Sequence, residues 1–166
     1  MKKWLPYILA AFFAVAFAIP ARAQEDVWEK VKEVNLPGQY LQAAWSRIYR
    51  SPMLQEDLLS EGTVVLRQPG YLRWETLKPV PQVTELDRTQ GKGRFRFPEE
   101  KDFQVTVLES ETCSVQLIPL RRDLKQLVGQ IILTVEKKSY KLLHVTILGV
   151  NGEWTQITFS DVRMDK

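Results

Sequence analysis

From Gly62 to the end of the chain, apolar and polar residues alternate with a period of two, again and again. That pattern belongs to strands with one buried face, and it leaves little room for helices. Residues 63–68 and 71–76 are β-rich runs joined at Pro69-Gly70, a strong turn signal. Phe103, Val105 and Val107 alternate cleanly, as do Cys113, Val115 and Leu117, a run that ends at Pro119. Residues 130–135 (QIILTV) and 142–148 (LLHVTIL) flank Lys137-Lys138-Ser139 as the arms of a hairpin. Asn151-Gly152 reads as a type I′ turn into a last strand over residues 154–162, because both residues accept positive φ. Arg121 to Val128 fits a short helical turn. The expectation is one antiparallel sheet of eight or nine strands.

Upstream of the strands the period changes. Residues 26–34 (DVWEKVKEV) place Val27, Val31 and Val34 at helical spacing, with Trp28 beside them, and Pro37-Gly38 ends the helix. The next stretch, 41–49, fits two patterns. Leu41, Ala43, Trp45 and Tyr49 alternate as in a strand, whereas Leu41, Ala44, Trp45 and Ile48 fit a helix. The pattern therefore gives a mostly β (α+β) domain, an antiparallel sheet with one N-terminal helix.

The first 23 residues have the parts of a secretory signal. Lys2 and Lys3 precede an apolar run over residues 5–19, and Ala21-Arg22-Ala23 supplies a small-x-small cleavage site. That run contains Pro6 and is shorter than the roughly 20 apolar residues of a spanning helix. Cleavage leaves a single domain, residues 24–166, starting at Gln24. With no Cys at the site, the mature protein is expected to be unlipidated, soluble and periplasmic.

Cleavage also removes the apparent basicity. The chain has 23 Lys+Arg and 20 Asp+Glu, but Lys2, Lys3 and Arg22 leave with the signal, so 20 basic face 20 acidic residues. A neutral domain gives no electrostatic footing for nucleic-acid binding. His144 is the lone histidine and Cys113 the lone cysteine. A histidine metal site, a Ser-His-Asp triad and an intrachain disulfide are thereby disfavoured. Carboxylates such as Asp57, Glu75 and Glu85 are not placed by sequence beside a proton-transfer partner, so no catalytic residue and no cofactor is expected, and the chain reads as a non-enzyme.

The apolar residues are more than one short helix can cover. Val64 and Leu66 share a face with Leu72 and Trp74 if the hairpin register is simple, while Ile131, Ile132 and Leu133 fill both sides of one strand. Either the sheet packs fully on itself, or an apolar face is left for a ligand.

The segment from Met53 to Pro79 bears on that choice. It reads Met53-Leu54-Gln55-Glu56, then Ser60-Glu61-Gly62, a strand ending at Pro69, then Leu72-Arg73-Trp74-Glu75 and Pro79. This order resembles that of the LolA-type periplasmic lipoprotein carriers. Residues 113–119 (CSVQLIP), 130–136 and 149–162 (GVNGEWTQITFSDV) resemble the closing strands of that family.

The resemblance implies a strongly curved antiparallel sheet, an incomplete β-barrel with the N-terminal helix on its concave face, and that face holds lipoprotein acyl chains. Such a carrier takes cargo from an inner-membrane lipoprotein-releasing transporter and passes it to an outer-membrane acceptor, acting as a monomer. It implies an acyl groove lined by Trp45, Val64, Leu66, Gln68, Leu72 and Trp74. At about 0.8 kcal/mol per buried CH₂, one long chain is worth roughly 12 kcal/mol gross, and three would exceed the practical ceiling near 20 kcal/mol. A carrier that releases its cargo therefore needs an imperfectly packed or partly wet cavity.

Several positions depart from the family pattern. Where carriers have an Arg before the strand-ending Pro, this chain has Gln68, and Arg67 falls on the opposite face by alternation. Residues 80–112 form a polar passage shorter than the usual lid-bearing segment, and Lys166 ends the chain before the family's further C-terminal strand. These departures point to an open groove, and to a second function on the same scaffold: a lipid-sensing or envelope-assembly interaction protein.

Overall fold

The computed structural model describes residues 21–35, 38–87, 101–109 and 112–165. The signal region through Pro20 and part of the polar passage lie outside the described residues. Helix α1 (Ala21–Asn35) leads into β1 (Tyr40–Arg50), β2 (Leu58–Arg67), β3 (Tyr71–Lys78), β4 (Gln82–Asp87), β5 (Phe103–Glu109) and β6 (Cys113–Pro119). A single helical turn, α2 (Arg122–Lys125), then precedes β7 (Val128–Val135), β8 (Leu142–Gly149) and β9 (Trp154–Met164). The nine strands form one sheet in the order β4-β3-β2-β1-β9-β8-β7-β6-β5, antiparallel throughout. The sheet is curved and does not close.

One open local reading is settled and two change. The stretch 41–49 is strand: β1 sits between β2 and β9, and its two ladders outweigh its helical alternative. Residues 82–87, within the polar passage, form β4, whose side chains are mostly exposed because it is an edge strand. The Asn151-Gly152 turn is not type I′. Gly152 has φ 79°, but Asn151 is not among the positive-φ residues, and a type I′ turn needs both. The loop closes instead through Gly152 N–H to Gly149 O (3.3 Å) and Gly149 N–H to Glu153 O (2.8 Å).

Pairing across the ladders places one set of apolar side chains on the concave face of all nine strands. On β5 to β7 these include Phe103, Val107, Cys113, Val115, Leu117, Leu133 and Val135, all buried. Helix α1 lays Val27, Trp28 and Val31 against them in one cluster. Each fully buried aliphatic there contributes about 1.5–3 kcal/mol. The described helix begins at Ala21, upstream of the apolar period over residues 26–34.

Asn35 anchors the other end of α1. Its side-chain amide donates to Val31 O and Tyr140 O, and its Oδ1 accepts from Leu142 N–H, each at 2.8 Å. This fixes α1 over the β7–β8 half of the sheet. Where β9 ends, the Asp165 carboxylate accepts the N–H groups of Tyr40 (2.6 Å) and Gln39 (2.8 Å), tying it to the start of β1. These bonds hold the Asp165 carboxyl below its ordinary range, Tyr40 contributing most. Among the described residues, no helix is long and apolar enough to cross a membrane.

Candidate functional site

The other half of the concave face, on β1, β2, β3 and β9, carries its own apolar cluster. Ala43, Trp45 and Val64 are buried, with Leu41, Leu72, Trp74, Ile157 and Phe159 packed around them and only partly covered. No residue of α1 belongs to this cluster; the helix spends its apolar side on the neighbouring half.

The ladders build this surface in rows. Leu41, Leu66, Leu72 and Leu86 lie side by side across β1 to β4. The next row is Ala43, Val64, Trp74 and Thr84. The third runs from Phe159 on β9 through Trp45 and Gly62 to Thr76. Because Gly62 has no side chain, the Trp45 indole spreads diagonally over it and stacks on Trp74, with ring centroids 4.6 Å apart and planes inclined at 25°. The Trp45 N–H is buried and has no hydrogen-bond partner among the described residues.

The family-like motifs acquire physical content here. In Ser60-Glu61-Gly62, Gly62 makes room for Trp45, and Ser60 accepts a hydrogen bond from Arg47 Nε at 2.9 Å. In Leu72-Arg73-Trp74-Glu75, Leu72 and Trp74 face the concavity. Arg73 lies on the convex side, bridging Glu75 (3.2 Å) and Glu85 (3.1 Å).

Of the residues expected to line a groove, Trp45, Val64, Leu66, Leu72 and Trp74 thus share one face. Gln68 stands in the β2–β3 turn at the end of that face, half-buried, its backbone N–H donating to Gln39 O at 2.8 Å. Arg67 is exposed over the Tyr71 ring, 5.6 Å from its centroid and on the convex side, as alternation requires. Sequence reasoning missed Leu41 and Ala43 as lining residues, and Ile157 and Phe159, which β9 contributes. Their alternation was legible, but that β9 lies beside β1 was not. It also missed Arg47. Among the described residues, no group of three or more His, Cys, Asp or Glu side chains is placed to hold a metal ion.

The described residues thus form an open curved sheet with a helix over half of its apolar concavity. No family model matches the sequence, and no curated protein matches it. The likeness to solved structures lies in the fold. MucB superposes with a TM-score of 0.51 at 11% identity, over 89% of this chain and 60% of MucB, so the chain spans about three fifths of that protein. The LolA superfamily protein NE2245 from Nitrosomonas europaea gives 0.46 at 11% identity, over 86% and 94%. The Pseudomonas aeruginosa MucA/MucB complex gives 0.46 at 11% identity, over 87% and 58%. The fold is LolA-like.

Proposed function

We propose that this protein is a periplasmic carrier that holds the acyl chains of lipoproteins in the concave groove of β1, β2, β3 and β9. The carrying observation is the apolar cluster around Trp45 and Trp74, which lies outside the cover of α1 and keeps Leu72 and Trp74 only partly buried. A packed core would have closed over these residues. A carrier needs them accessible, with enough apolar surface for capture and enough solvent for release.

In this reading the signal is removed after Ala23. The buried α1 residues Val27, Trp28 and Val31 all follow Gln24, so cleavage leaves the helix's packing face in place. The mature protein works as a monomer without a cofactor, is not an enzyme, and does not bind nucleic acid. It receives lipoprotein from an inner-membrane releasing transporter and delivers it to an outer-membrane acceptor.

The test pairs two measurements on Leu72→Glu. A carboxylate in the groove weakens retention of a fluorescent acyl lipopeptide more than about a hundredfold, since burying it beside hydrocarbon costs several kcal/mol. Thermal melting stays near normal, because the empty groove leaves the new carboxylate hydrated. Collapse of the fold would make Leu72 a core residue, and intact retention would place the lipid elsewhere.

A second reading, a lipid-sensing or envelope-assembly interaction protein, draws on two observations. Gln68 stands where the carriers have Arg, and the fold is shared with MucB, a protein solved in complex with another protein, MucA. A stable protein partner isolated without lipid would favour it.

A further inference from the structure

Among the described strand positions of the concave face beside the Trp45–Trp74 stack, one side chain is ionised. On the described strand positions of that face on β1, β2, β3 and β9 there are leucines, valine, isoleucine, aromatics, small polar residues and Arg47. Arg47 follows Trp45 by two residues and is paired across the ladders with Ser60 and Ile157. Its Nε donates to Ser60 Oγ at 2.9 Å, and Ser60 is itself buried at 8% exposure.

The remaining donors of Arg47 differ from those of its neighbours. Arg50 is paired with Asp57, Arg73 with Glu75 and Glu85, and Arg121 with Asp123. Arg47 is half-buried, yet no carboxylate lies within ion-pair distance of it among the described residues. A guanidinium taken partly out of water without a counter-charge is a standing cost, which an anion entering with a ligand would offset. With Nε committed to Ser60, the two terminal nitrogens remain, and that fork matches the two oxygens of a carboxylate. One cation matches one negative charge. A phosphomonoester, at about −1.5 to −2, would leave charge uncompensated.

We propose that Arg47, oriented by Ser60, forms a carboxylate-recognition site within the apolar groove, so that the groove takes a long-chain fatty acid with its chain over Trp45 and Trp74 and its head on Arg47. From Arg47 to Leu41 the strand offers about 20 Å of apolar floor at ~3.3 Å per residue. The proposal rests on the acyl-groove reading but adds a charged ligand class to it.

The experiment measures binding of palmitate, methyl palmitate and palmitoyl lysophosphatidic acid to the wild-type protein and to Arg47→Gln and Arg47→Lys. Wild type binds palmitate at least about tenfold more tightly than its uncharged ester. Arg47→Gln brings palmitate affinity down to that of the ester, and Arg47→Lys keeps part of the preference. Unchanged melting of Arg47→Gln assigns the effect to the site rather than to the fold. Equal affinity of wild type for acid and ester overturns the proposal while leaving the groove standing. Tighter binding of the lysophosphatidic acid than of palmitate overturns the carboxylate assignment. Binding of none of the three overturns the groove reading itself.

Discussion

The indole of Trp45 occupies the space that a side chain on Gly62, its cross-strand partner, would need. A Cβ built on Gly62 would lie 2.7 Å from Trp45 Cζ2 and 1.8 Å from the backbone oxygen of Glu75. The glycine thus serves two approaches at once, an aromatic ring from the concave side and the β3 backbone at the Glu61/Gly62 bulge.

Gly62→Ala is therefore expected to destabilise the protein by about 3 kcal/mol, since the Glu75 carbonyl belongs to a ladder and does not yield as a flexible side chain would. Urea unfolding checks this. A change below about 0.5 kcal/mol would mean that the β2–β3 pairing relaxes freely at the bulge.

Much of this geometry could be read from residue order. Alternation in β2 and β3 placed Val64, Leu66, Leu72 and Trp74 on one face, and the ladders agree. The alternation in 41–49 did not decide between helix and strand, because Trp45 fits both periods. Pairing with β9, more than a hundred residues away in sequence, resolves it, and no local signal carries that information. β4 was missed because an exposed edge strand has no apolar period to reveal it. The division of the concave face into a half that α1 covers and a half that it does not depends on where Asn35 anchors α1. Those contacts reach Tyr140 and Leu142 and leave no mark in local sequence. Nothing in the local sequence sets Arg47 apart from other charges; the ladders turn it inward.

The two stacked indoles should behave differently when removed. Trp45 is 2% exposed, so Trp45→Ala is expected to cost about 3–5 kcal/mol. Trp74 is only partly covered, so Trp74→Ala is expected to cost about 2 kcal/mol, leaving a folded protein that retains acyl lipopeptide poorly. Near-UV circular dichroism should lose the same coupled-indole band in both variants. Equal costs for the two would show that Trp74 is as much a core residue as Trp45.

Burial pushes the His144 imidazole below its ordinary value of 6.5. The unfolded chain then binds a proton near that pH while the folded protein still resists it. Stability from this group is therefore complete above about pH 6.5 and declines as pH falls below it. Urea midpoints at about pH 7.5 and about pH 5.5 should differ in that direction, and His144→Asn should flatten the difference. A midpoint that rises on acidification would contradict the assigned burial.

Native mass spectrometry of the protein isolated from the cells that make it tests the carrier reading most directly. The account predicts a mature chain beginning at Gln24, with a population shifted by the mass of a bound acylated lipopeptide or lipoprotein, and that shift should vanish in Leu72→Glu. A chain that is lipid-free throughout, or one held in a stable complex with another protein and no lipid, would contradict it.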